Sequence, residues 1–216
     1  MARSSGSGRE RTPSGRGEAT RERIVDAALE TLKREGFGGA SAREIARTGG
    51  FNQALVFYHF GSVNQLLLAA LDRTSAIRMQ RYRAMVEEAG DLPSLLRSAA
   101  SMYREDLDSE HIKVMAEMIS GASSDPDLGP EIVRRIEPWI AFAREAIEGV
   151  SATMPLGNLV PPEDAAYAVV ALYLGIELLT NLDGDRSRSD HLFATAQRLE
   201  AMFAPMLEVL APKAEP

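Results

Sequence analysis

Ser41 to Phe60 reads SAREIARTGGFNQALVFYHF. Its opening Ser41-Ala42-Arg43-Glu44 is a capping box, in which the serine hydroxyl and the glutamate carboxylate can satisfy orphan backbone amides reciprocally at a helix start. Gly49-Gly50 supplies a sharp stop, and Asn52 to His59 predicts a second short helix. A short capped helix, a glycine turn and a second short helix make the layout of a helix-turn-helix. Ile45 and Ala46 would brace the first helix against the second. The second would then present Asn52 and Gln53, whose amides both donate and accept, to base edges in a major groove. Ser41, Arg43, Tyr58 and His59 are the other candidate DNA contacts. A plain αα-hairpin, with His59 as a packed, hydrogen-bonded ring, is the alternative reading.

Outward from this stretch the chain repeats apolar residues at spacings of three and four, and no strict alternation persists, so the fold class is all-α. A first helix is expected from Thr20 to Glu35, carrying Ile24, Ala28 and Leu32 on one stripe and ending at Gly36. A long fourth helix starts at the capping box of Ser62 to Gln65 and continues to Glu88. Together these predict a three-helix head joined by a long helix to a helical body. Further helices are expected over 91–106, 109–122, 129–152 (kinked at Pro138) and from Pro162 to the Asp183-Gly184-Asp185 stop. In the last helix Leu192, Ala196, Leu199, Phe203, Met206 and Leu210 form a heptad-like seam. The expected domains are an Arg-rich disordered tail (1–17), a DNA-binding head (18–62) and an effector-binding and dimerisation body (63–216).

The 216 residues are 45% apolar and 25% charged, ordinary for a globular protein. With no cysteine, disulfide scaffolds, thiolate metal sites and cysteine nucleophiles are excluded, and a cytoplasmic location is expected. The apolar run Ala165 to Ile176, cut by Glu177, falls short of the roughly 20 residues needed to span a bilayer, so no membrane partner is expected. The net charge of −7 hides an asymmetry, because residues 1–60 sum to +3 and the rest to −10. A basic N-terminal segment on an acidic remainder suits a polyanionic partner. His59, His111 and His191 lie on separate segments, without a metalloprotease motif, a phosphate-cradling loop or a nucleophile elbow. No enzyme, cofactor or metal is expected.

The head resembles the tetracycline-repressor (TetR) family of bacterial transcription regulators. The resemblance runs through Arg23-Ile24-Val25-Asp26-Ala27-Ala28, Glu35-Gly36-Phe37, Ser41 to Ala46, Gly49-Gly50-Phe51, Phe57-Tyr58-His59-Phe60 and Leu66-Leu67. It implies a homodimer whose last two helices form a four-helix bundle with the partner, and a ligand-binding body. Phe57 and Val63 depart from the family's usual Tyr and Lys, and the resemblance assigns both positions to the DNA backbone.

In the body, Met79, Met85, Met102, Met115 and Met118, with Tyr82, Tyr103, Trp139 and Phe142, are candidates to line an adaptable apolar pocket. His111, Glu117 and Glu177 are candidate orienting groups, and core packing is the alternative for all of them. Val169, Leu172 and Ile176, with Leu192, Leu199, Phe203 and Met206, give more apolar face than one chain can cover, which points to dimerisation. The expected function is a ligand-responsive regulator, a repressor released from a palindromic DNA operator by a small apolar effector. Loss of the two phosphate contacts leaves a small-molecule carrier as an alternative, and an enzyme with a converged polar site as a third.

Overall fold

The computed structural model describes residues 15–108, 111–151 and 159–210. Every regular element among them is a helix: α1 (Gly15–Gly39), α2 (Ala42–Gly49), α3 (Ala54–Phe60), α4 (Val63–Glu87), α5 (Leu92–Asp108), α6 (His111–Ala122), α7 (Leu128–Ser151), α8 (Pro162–Asp183) and α9 (Ser187–Leu210). The all-α architecture with an N-terminal helix-turn-helix is as the sequence predicts.

Three details of the head differ from expectation. Helix α1 begins at Gly15, so residues 15–17 belong to its first turn, where Thr20 Oγ1 donates to Arg16 O at 2.9 Å. The rest of the expected tail, 1–14, lies outside the described residues. The capping box at Ser41 closes on one side only. Ser41 Oγ accepts from Glu44 N at 3.3 Å, while the Glu44 carboxylate turns to Arg47 and Arg34 instead. Helix α3 starts two residues late, because Asn52 Oδ1 accepts the Ala54 N–H at 2.9 Å and so acts as a cap in front of the helix.

Ile24, Ala28 and Leu32 of α1 are fully buried against Ile45 of α2, Val56 of α3 and Leu66, Leu67 and Ala70 of α4. The core of the head thus takes in the first two turns of α4, beyond the boundary expected at residue 62. It also continues into the body through Val114, Met115 and Met118 of α6 and Leu128 and Ile132 of α7.

The join between head and body is built at Gly36, whose φ of 71° breaks the helical path of α1. This turn exposes the backbone N–H of Phe37, which donates to Glu117 Oε2 on α6 at 2.8 Å. The Phe37 ring lies against Gly121, where a Cβ would come within 2.6 Å of it. Glu117 is therefore a docking group rather than a ligand-orienting one.

In the body α7 packs on α8, α5 on α9, and α4 on α7. A buried polar cluster ties α4, α5 and α8 together. Arg78 Nε donates to Asp106 Oδ1 at 2.7 Å and Arg78 Nη2 to Oδ2. The hydroxyls of Tyr82 and Tyr173 donate to the same carboxylate, Tyr173 at 2.7 Å. Glu177 Oε1 sits 3.7 Å from Arg78 Nη2. By length and composition alone α8 is apolar enough to cross a bilayer, which the uninterrupted-run argument missed because an average tolerates one acid. That acid, Glu177, is buried in this cluster.

Two stability outcomes follow from the packing. Glu117→Ala leaves the Phe37 N–H unpaired and should cost about 1–3 kcal/mol, whereas Glu117→Gln keeps an acceptor and should recover most of it. Urea unfolding of both variants checks this, and an unchanged midpoint for Glu117→Ala would refute it. His111 pairs its Nδ1 with Thr74 Oγ1 at 2.8 Å. Burial, reinforced by the charge of Arg78 and opposed by Asp106, lowers its pKa to about 3. The unfolded chain therefore binds the extra proton below pH 6.5, and stability from this group is lost as pH falls from there toward 3. Between pH 7 and pH 5, wild type should lose about 2 kcal/mol relative to His111→Gln. Parallel stability profiles for the two proteins would contradict this.

Candidate nucleic-acid interface and ligand cavity

The outer face of the head is a shallow groove lined by Arg43, Arg47, Gly50, Phe51, Asn52 and Gln53, with Ala46 at its base. Ser41, Arg43, Asn52 and Gln53 are all exposed, but their side chains are not equally available. The oxygens of Ser41 and Asn52 serve as caps, and Arg47 is paired with Glu44. Gln53 makes no capping bond, so it and Arg43 are the groups best placed to reach a base edge or phosphate.

Tyr58 is 82% exposed and Phe57 53%, whereas His59 is half-buried and meets the Tyr58 ring edge-on at 4.9 Å. Val63 packs partly buried against the core of the head, which explains an apolar residue at that position. Arg21 and Arg23 of α1 stand over the rings of Phe60 and Phe51, at 4.8 and 5.7 Å, extending the basic character of this face.

The body encloses a cavity of about 270 Å³ between α4, α5, α6, α7 and α8. Of the nine pocket candidates singled out in the sequence, Tyr82, Met102, Met115, Trp139 and Phe142 line it, together with the orienting candidates His111 and Glu177. Four others do not. Tyr103 is fully buried in the core, its hydroxyl 2.7 Å from Thr180 Oγ1 and its ring against Tyr173 and Phe193. Met118 is consumed by the head–body core, and Met79 and Met85 are half-buried on α4 outside the walls.

The walls also hold residues that the sequence did not suggest, chiefly Arg78 and Tyr173 beside a ring of leucine, valine and alanine. No sequence signal marks Arg78 and Asp106 as partners across 28 positions. Tyr173 could have been noticed as a hydroxyl in the apolar middle of α8, between those of Tyr167 and Thr180.

Electrostatics concentrate where the buried cluster meets the cavity. Burial opposes the charge of Arg78, but Asp106 and then Glu177 outweigh it and raise its pKa further. Tyr82 and Tyr173 are pushed up by burial first and by Asp106 next, so both stay protonated donors. Burial also raises the Glu177 carboxyl well above the usual range. Arg78 pulls it the other way, and the charge of Asp106 and a hydrogen bond to it add to the rise. Arg78 further stacks over Trp139 at 5.1 Å and Tyr82 at 5.5 Å.

On the far side of α8 the apolar residues stay uncovered. Val169 is 50% exposed and Leu172 59%, with Leu192, Leu199 and Phe203 of α9 similarly open. Ile176 is half-buried. Met206 lies on α9, and its side chain is outside the described residues. Val169 also touches the cavity. No group of acids and histidines able to hold a metal ion occurs among the described residues.

A sequence model of bacterial regulatory proteins of the tetR family matches residues 24–70. The HTH-type transcriptional regulator SrpR of Pseudomonas putida is 41% identical over 54 residues, a quarter of either chain, so the likeness to this relative spans the head alone. Over the whole fold, a TetR-family transcriptional regulator from Cytophaga hutchinsonii superposes with a TM-score of 0.71 at 17% identity, over 88% of this chain and 97% of that one. The multidrug binding protein EbrR, solved with imidazole, gives 0.59 at 22% identity, over 83% and 93%. The head is thus similar, over residues 24–70, to the tetR family of bacterial regulatory proteins, and the whole chain shares the fold of solved members.

Proposed function

We propose that the protein is a homodimeric transcription regulator that binds a palindromic DNA operator through its two heads and is released by a small, largely apolar effector held in the body. The observation that carries this reading is the double use of α6. Its first turns, His111 and Met115, wall the cavity, and its later turns, Glu117 and Gly121, hold α1 of the head. A molecule that fills the cavity bears on the helix that sets the angle of the head. Two recognition helices must sit about 34 Å apart to meet successive major grooves, and a small tilt of α6 in each protomer changes that span. The effector then favours the conformation that no longer fits the operator, and affinity falls by population shift.

The exposed apolar strip of α8 and α9 supports the dimer, since this much open apolar surface is unusual on a monomer. Crossing two such helices with a partner's pair gives a four-helix interface. That EbrR, a multidrug binding protein, shares this fold accords with a small-molecule role for the cavity. Selection of DNA fragments from random sequence, repeated with candidate effectors, tests the regulator reading. Failure to enrich any sequence would overturn it.

Two substitutions separate the parts of this proposal. Phe203→Glu, in the middle of the apolar strip of α9, should yield a monomer with a folded head and no operator binding, because a buried phenylalanine lost from an interface costs about 3–5 kcal/mol. An intact dimer in sedimentation would remove α9 from the interface. At the DNA face, Gln53→Ala should cost about 1–3 kcal/mol on the preferred site and relax base choice at one or two positions per half-site. Asn52→Ala should instead destabilise the head by about 0.5–2 kcal/mol through loss of its cap and leave the selected sequence alone. A changed base preference in Asn52→Ala, with none in Gln53→Ala, would reverse the assignment.

A further inference from the structure

The cavity wall is nearly all hydrocarbon and ring, apart from the cluster around Asp106, and there the hydrogen bonds are almost completely spent inside the protein. Arg78, Tyr82 and Tyr173 all donate to Asp106. His111 Nδ1 pairs with Thr74, and Trp139 Nε1 donates to Ser75 Oγ at 2.9 Å. Among the described residues only two buried side-chain polar atoms lack a hydrogen-bond partner, Glu105 Oε2 and Glu177 Oε1. Glu105 is not in the cavity wall; Glu177 is. Its nearest cation, Arg78 Nη2, stands at 3.7 Å, beyond hydrogen-bond reach. A buried acceptor with no donor costs free energy until something supplies one.

We propose that the effector is an apolar molecule bearing an O–H or N–H group, which it donates to Glu177 Oε1. This rests on the reading of the cavity as the effector site. Oε1 is an acceptor in either protonation state of Glu177. When the carboxyl is ionised both oxygens accept; when it carries a proton, that proton lies in the hydrogen bond with Asp106 and leaves Oε1 as a carbonyl. An anionic head is disfavoured at the same spot, because Asp106 already occupies the fork of Arg78 and would repel it. Size follows from the volume. A cavity of about 150 Å³ takes benzene, so 270 Å³ suits roughly nine to twelve non-hydrogen atoms.

Indole and benzofuran have the same shape and differ at the heteroatom, one an N–H donor and the other an ether oxygen, so calorimetric titration of both into the full-length protein isolates the donor. Wild type should bind indole about tenfold more tightly than benzofuran. Glu177→Gln, whose amide oxygen replaces Oε1 and whose amide N–H replaces the proton toward Asp106, should keep that ratio. Glu177→Leu should still bind benzofuran and bring the ratio to about one. Equal affinities in wild type, which needs no variant to fold, would overturn the donor assignment and leave the effector cavity standing. Survival of the tenfold preference in Glu177→Leu would also overturn it. Binding of neither compound would count against the cavity as an effector site, and the assignment would fall with it.

Discussion

A single backbone amide, the N–H of Phe37, fixes how the two halves of this protein meet. It is free to leave α1 because Gly36 takes a positive φ, and it is caught by a carboxylate of α6. A side chain at position 36 would be strained by that φ, and its Cβ would stand 3.0 Å from Glu117 Oε2. At position 121 any side chain would collide with the Phe37 ring. Two glycines and one acid thus hold the head at a fixed angle to the body, and the continuous core of α1, α4, α6 and α7 makes the joint stiff. In the proposed regulator, a stiff joint would let a small shift of α6 be read as a displacement of the DNA-binding face instead of being absorbed in a loose linker.

The second organising feature, the Arg78–Asp106 pair, serves geometry more than stability. Burying two charges has a desolvation cost that their attraction offsets only with additional hydrogen bonds, and here the two tyrosine hydroxyls supply them. The result gathers α4, α5 and α8 around one end of the cavity. It also leaves the cavity's polar character concentrated in one place, beside Glu177, with apolar walls elsewhere. Arg78 is held by its carboxylate and by the faces of Trp139 and Tyr82, so it cannot swing out to meet an anion.

Much of this was legible in the sequence because it depends on local order. Helix periodicity, the Gly49-Gly50 turn and the Pro162 start are short-range features, and they place the elements within a few residues. The exposed strip of Leu192, Leu199 and Phe203 was legible for the same reason, since its spacing is that of one helix face. What escaped depends on partners distant in the chain. Nothing local says that Met118 is spent on the head core while Met115 lines the cavity, because both lie on the same helix and differ only in which neighbour they meet. The capping role of Asn52 was hidden by an ambiguity of chemistry, since the amide that could read adenine is equally able to cap a helix. Arg78 and Asp106 look like ordinary surface charges until the fold brings them together.

Helix α8 connects these parts in a way that neither the cavity nor the exposed strip reveals alone. One side carries Tyr173 and Glu177 into the buried cluster, the other presents Leu172 and Leu179 to the outside, and Val169 belongs to both. Close-packed helices move as units, so pressure on one side of α8 is felt on the other. In a dimer built on α8 and α9, a molecule held against Glu177 would bear on the subunit interface as directly as α6 bears on the head. In that dimer the two routes would leave from the α6 and α8 walls of one cavity, and together they would set both the tilt of each head and the separation of the pair. Coupling energies of about 1–3 kcal/mol are typical between such sites, and a change of that size in the fit to a spaced pair of half-sites alters operator affinity about five- to 150-fold.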